Sequence, residues 1–216
     1  MNTLTRRSLV LVTAMVATAG LAACGSSDSS TATPAAATTE AAPMATATAS
    51  DAMASGLVGP GCAGYAAQVP DGAGSVAGMA QDPVATAASN NPLLTKLVAA
   101  VGAANLGDTL NSQPAITVFA PYDPAFAELG DAKFAELAAD PATLGKILQY
   151  HVVGKRYDAK GLEAAKTVDS LTGQKLTIAG SGDTMTVNGA PVLCGNIPTK
   201  NATVFVIGKV LTPPAA

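Results

Sequence analysis

The sequence predicts an α+β fold in one domain, with helices gathered in its first half and strands in its second, and three observations carry that prediction. Asp123-Pro124 and Asp140-Pro141 each precede apolar residues at helical spacing, pairing an N-cap carboxylate with a first helical residue whose φ is already set. After residue 175, apolar and polar residues alternate around Gly-rich turns, the pattern of strands with one face in water. Residues 116–120 and 203–207 are instead apolar at nearly every position and rich in β-branched side chains, which suits strands covered on both faces.

Taken in order, residues 1–23 read as an export signal. Arg6 and Arg7 supply the charged start, Leu9 to Leu21 the apolar stretch, and Leu21-Ala22-Ala23-Cys24-Gly25 ends it with small residues before a cysteine. This resembles the bacterial lipobox, which implies that the Cys24 thiol is acylated and, after cleavage, becomes the N-terminus held to the membrane by its lipid. The apolar run is diluted by Thr and Gly and falls short of the ~20 residues that span a bilayer. Arg6-Arg7 followed by Leu9 and Val10 leaves the general and the twin-arginine export routes both open.

Residues 24–56 read as a disordered tether. From Ser26 to Gly56 there is no aromatic residue and no Leu, Ile or Val, so too little apolar surface is available to offset the entropy of ordering. Such a chain has an r.m.s. reach of roughly 30 Å, enough to hold a domain clear of a lipid surface. Its Thr-rich tract makes Thr46 and Thr48 candidate acceptors for bacterial O-mannosylation, with a bare linker as the alternative.

The folded region is expected over residues 57–216. Gly59-Pro60-Gly61-Cys62-Ala63-Gly64 spells the letters of a dinucleotide-binding fingerprint, but no strand leads into it, and it reads as a loop positioning Cys62. Residues 84–89 form a short helix. Asn91 then caps and Pro92 starts a second one, whose Leu93, Leu94, Leu97, Val98 and Val101 share a face. The segment 108–112 leads into the first strand, which Pro121 stops, and Asp123 caps the next helix with Phe126 and Leu129 on its apolar side. Asp140 caps another, with Leu144, Ile147 and Leu148 inward, and it runs into a strand near Val152. Leu176 with Ile178, and Met185 with Val187, face inward from two strands joined by a turn at residues 180–183. Asn188-Gly189 is a strong hairpin signal leading to Val192-Leu193-Cys194, and Pro213-Pro214 halts whatever follows the last strand.

Cleavage would remove two arginines and no acid from a chain of 12 basic and 15 acidic residues, leaving it more acidic than its formal charge of −3. No dense basic cluster remains to neutralise a phosphate backbone, which excludes nucleic acid as a partner. Of 3 cysteines, Cys62 and Cys194 are left once Cys24 carries lipid, and outside the cytoplasm an even pair points to a disulfide. Two thiols and one histidine, none at short spacing, do not make a zinc site, so no metal is expected.

Thr117-Val118-Phe119-Ala120-Pro121 with Phe126 downstream resembles the first hallmark of the fasciclin domain. Tyr150-His151-Val152-Val153 resembles its central element, and residues 202–207 followed by Val210-Leu211 its closing one. The resemblance covers residues 76–213. With the lipobox, the tether and the segment around Cys62, the chain further resembles the mycobacterial fasciclin-domain antigens. That resemblance implies a β-sandwich or wedge flanked by helices, a family-motif role in the fold for Thr117, Phe119, Pro121, Tyr150 and His151, and a role in adhesion or host contact without catalysis or cofactor. The acidic motifs that animal relatives direct at integrins are not evident around Asp169 or in residues 196–201, so no receptor site carries over.

His151 is the sole histidine, and no G-x-S-x-G accompanies it, so it reads as a buried hydrogen-bonded residue rather than a hydrolase base. Glu128, Asp131 and Glu136 fall on the solvent side of their helices. The expected function is therefore a lipid-anchored protein on the outer face of the cell membrane, partly shed, whose domain meets an extracellular protein, matrix or host receptor. The alternative is a carrier of lipid or small molecules, which would require an apolar cavity of several hundred Å³ between sheet and helices.

Overall fold

The computed structural model describes residues 56–213; the expected export signal, Cys24, Thr46, Thr48 and nearly all of the tether lie outside the described residues. The chain enters through five short helices, α1 (Cys62–Gln68), α2 (Val76–Met79), α3 (Val84–Ser89), α4 (Thr95–Ala103) and α5 (Gly107–Ser112), and then forms β1 (Ile116–Pro121). Helices α6 (Asp123–Leu129), α7 (Asp131–Ala139) and α8 (Pro141–Tyr150) follow, then β2 (Val152–Val153) and α9 (Ala159–Ala165). The last third supplies β3 (Thr167–Asp169), β4 (Lys175–Ala179), β5 (Thr186–Val187), β6 (Ala190–Pro198) and β7 (Ala202–Ile207).

The strands pair in the order β2-β1-β7-β6-β5-β4-β3. β1 and β7 run parallel with Val118 opposite Val204, and every residue of both is buried, as their uniform apolar composition demands. β4 alternates exposed and buried residues, and the two-residue turn Asn188-Gly189 between β5 and β6 takes positive φ at both positions. The two ends of this ribbon meet: Val153 bridges Ser170 just beyond β3, and the Leu171 amide donates to the Val152 carbonyl at 2.7 Å. The sheet thus curls into a wedge with a core on each side of its central strands. Outward-facing Ile116, Val118, Val204 and Val206 pack with Leu97, Leu110 and Leu148 of the helices. Inward-facing Phe119, Phe205 and Ile207 pack with Leu176, Ile178 and Val187 of the curled half, closed by Leu162 of α9. The Phe119 and Phe205 rings lie 5.8 Å apart, and Gly195 of β6 makes room for them, since a Cβ there would sit 2.3 Å from Phe205 Cδ1.

Local detail differs from the sequence reading in four places. α4 begins at Thr95 rather than Pro92, because the Asn91 amide is drawn into a buried cluster: it donates to the Tyr65 hydroxyl at 2.8 Å while its oxygen accepts from Leu93 N in a turn. Asp123 does not cap its own helix; its carboxylate accepts from Lys96 N at 2.9 Å and from the Thr95 hydroxyl, and so caps α4 across 28 residues. α5 forms from Gly, Asp, Thr, Asn and Ser around a single Leu, and all but Leu110 are weak helix formers that owe their order to tertiary partners. The stretch read as a loop around Cys62 becomes α1 at that residue, while Gly59 and Gly61 before it let the backbone press against Leu193 of β6, whose carbonyl accepts from Gly61 N at 2.7 Å.

Candidate functional site

The family-motif residues sit where elements must be tied together. Thr117 is fully buried on β1; its hydroxyl donates to the Lys155 carbonyl and accepts from Tyr157 N, both at 2.8 Å, which pins the loop after β2. Pro121 ends β1 opposite Ile207 and is buried with the rest of the strand. Tyr150, at the end of α8, is buried with its hydroxyl accepting from Asn188 Nδ2 at 2.7 Å, so it holds the tip of the β5–β6 hairpin. The Asn188 oxygen in turn accepts from Thr177 N at 2.8 Å.

His151 is buried, and both ring nitrogens are engaged by backbone. Nε2 accepts from Leu211 N at 2.8 Å, which places the proton on Nδ1, where it is donated to the Ile147 carbonyl at 2.8 Å. The imidazole therefore fastens the end of α8 to the segment after β7 and has no lone pair left for proton transfer. Burial pushes its pKa from 6.5 down to about 4, only partly opposed by the bond to Ile147. In the unfolded chain it protonates near 6.5. Above that pH neither state carries the charge; as pH falls from 6.5 to about 4 only the unfolded chain takes the proton, and stability declines. Unfolding by urea at pH 7.5 and pH 4.5 is expected to show a His151 contribution approaching about 3 kcal/mol, which His151→Gln should abolish. An equal pH dependence in the two proteins would refute this origin.

Cys62, the first residue of α1, is joined to Cys194 of β6, with Cα atoms 4.6 Å apart. Glu128 and Glu136 are exposed on α6 and α7. Asn201, whose Asn-Ala-Thr context spells a glycosylation sequon, is buried with its amide fully engaged by backbone groups.

The feature with room for a ligand lies between the helices and the sheet. A cavity of about 300 Å³ opens between α3, α4 and α5 on one side and β1, β2 and the end of α8 on the other. Its walls are Val84, Leu97, Val98, Val101, Val118 and Leu148, with Thr86, Asp108 and Asn111 among the polar groups. A second space of about 190 Å³ shares Leu110, Leu148 and Val152 with it and extends to Leu171. Sequence reasoning named several wall residues as ordinary core and missed the polar ones. The available signal was excess: Leu97, Val98 and Val101 give α4 a wider apolar stripe than one packed face requires.

The fasciclin domain family matches residues 92–213. The cell surface glycolipoprotein MPT83 of Mycobacterium tuberculosis is 48% identical over 162 residues, covering 73% of this chain and 72% of that protein. The immunogenic protein MPB70 of Mycobacterium bovis is 46% identical over 162 residues, covering 73% of this chain and 82% of that protein. A solved domain pair from the insect cell adhesion molecule fasciclin I is similar with a TM-score of 0.53 at 15% identity, over 63% of this chain and 52% of that structure. The chain thus spans about half of that structure, and the likeness concerns fold alone.

Proposed function

Since the chain belongs to the fasciclin-domain family, we propose that it serves as a non-catalytic surface protein, held to the outer face of the cell membrane by lipid on Cys24 and displaying its domain to an extracellular protein, matrix or host receptor. The observation that carries this reading is the 48% identity to a cell surface glycolipoprotein in a chain whose own Cys24 closes a lipobox ahead of a tether. Adhesion and host contact need an exposed, stable body rather than a reactive centre. The only imidazole of this chain is committed to the backbone on both sides. Export of the Cys24→Ser chain is expected to release most of the protein into the medium, while the unaltered chain stays with the membrane fraction and takes up radiolabelled palmitate. Full membrane retention of Cys24→Ser would overturn the anchor.

A second reading is favoured by one observation, the apolar cavity between α3–α5 and the sheet. Its volume of about 300 Å³ stands at the lower end of the range in which proteins hold small ligands, and its walls are mainly aliphatic. On this reading the displayed domain also carries an apolar molecule.

A further inference from the structure

The groups around the cavity discriminate between kinds of apolar ligand. Two adjoining spaces that share Leu110, Leu148 and Val152 suit a flexible unbranched chain better than a rigid ring system, which needs one large volume. At the far end of the smaller space stands Leu171, 42% exposed and the exposed large hydrophobic residue among those described. A chain that reached the smaller space would lie against it.

Polar groups occur at the helical side. Asp108, in the first turn of α5, stands exposed at the rim of the cavity, and among the described residues its carboxylate has no hydrogen-bond or ion-pair partner. Thr86 Oγ1 accepts from Asn111 Nδ2 at 3.2 Å and keeps its own proton to donate. The other ionisable residue in the lining is His151, whose ring nitrogens are both occupied. Among the described residues, no lysine or arginine lines either space. A carboxylate-headed chain would set a second negative charge beside Asp108 at this water-exposed rim, with no cation among the lining residues to offset the repulsion. A hydroxyl head would donate to Asp108 and accept from Thr86.

We propose that the cavity binds the unbranched chain of a neutral amphiphile with a hydroxyl head, of the long-chain alcohol or monoglyceride class, and discriminates against the corresponding fatty acid. The inference rests on the reading of the cavity as a ligand site, and its test separates the two.

The full chain carrying Cys24→Ser, so that its own acyl chains cannot compete, is titrated at pH 7.5 with 1-decanol and with decanoate by calorimetry and by thermal unfolding. Decanol is expected to bind at one saturable site and raise Tm, with decanoate weaker by roughly fivefold at low salt, the size of a water-screened repulsion. Asp108→Lys should reverse that order. Gly102 lies on α4 at the exposed rim of the cavity, and a Cβ there would meet nothing within 4 Å, so Gly102→Leu adds bulk at the mouth without a clash and adds helix propensity. It should keep or raise Tm while weakening decanol by about tenfold or more. If neither probe binds saturably, or if Gly102→Leu binds decanol unchanged, the cavity is not a ligand site. If decanoate binds as tightly as decanol, or Asp108→Lys leaves the order unchanged, the cavity reading stands and the choice of head group is overturned.

Discussion

Asn201→Ala is expected to destabilise the domain by about 3–5 kcal/mol, although the residue sits in the short link between β6 and β7. Its side-chain oxygen accepts from Val84 N at 2.9 Å, supplying the N-terminal cap that α3 lacks locally, because Pro83 stands at the cap position and makes no side-chain bond. Its nitrogen donates to the carbonyls of Leu110 at 2.8 Å and Gln113 at 2.9 Å at the end of α5. One amide thus closes two helices onto the sheet, and only 8% of the residue is exposed, so water cannot readily replace it. Truncation leaves one donor and two acceptors short of partners, each costing about 1–3 kcal/mol where burial persists. Asn201→Asp should fare no better, since it retains the bond from Val84 but turns a carboxylate oxygen toward two carbonyls. Urea unfolding of both variants measures the effect, and a loss below about 1 kcal/mol would contradict the account. Because α3 and α5 form the helical wall of the cavity, the same variants should bind decanol more weakly than Gly102→Ala, which leaves the wall in place.

Removing the disulfide is expected to cost a similar amount by another route. Cys62 and Cys194 are separated by 132 residues, and closing a loop of that size restricts the unfolded chain by roughly 4–5 kcal/mol in the chain-entropy account. The native contacts at the site survive without the bond: Val58 bridges Gly195, Gly61 N donates to Leu193, and Tyr65 of α1 is buried with its hydroxyl donating to Gly74 at 2.7 Å. The Cys62→Ser/Cys194→Ser chain should therefore fold to the same structure with a stability lower by about 4 kcal/mol, and reduction of the unaltered protein should match it. A difference under about 1 kcal/mol would mean that the unfolded chain is already compact around this segment. The loss matters for a protein working outside the cell, where the oxidised pair persists.

Much of the fold was readable because it rests on short-range patterns. The uniformly apolar stretches at residues 116–120 and 203–207 became the adjacent central strands β1 and β7, since a run with no polar face has nowhere to lie except between two covered faces. Asp140 caps α8 through Ala142 N and Thr143 N because donor and acceptor are two and three residues apart. The Asp123-Pro124 pair looked the same in sequence but behaved differently. Pro124 still opens α6, while the carboxylate of Asp123 serves α4, because the fold brings that helix's free amides within reach.

The chain's sequence by itself determined its class, its central strands, its hairpin, the family to which it belongs and the reading of a lone histidine in an apolar setting as a buried, hydrogen-bonded residue. Each follows from residue type within a turn or two of its neighbours, or from a pattern shared with relatives. The tertiary structure alone decided which backbone groups Asn201 and Asp123 satisfy, which two carbonyl and amide groups hold His151, and that the apolar stripe of α4 faces an unfilled space with Asp108 at its rim. Those outcomes depend on groups tens to more than a hundred residues apart meeting in space and on the volume left between packed elements. No local pattern encodes either quantity, so the candidate ligand site, unlike the strands that form its floor, became visible only once the helices were set against the sheet.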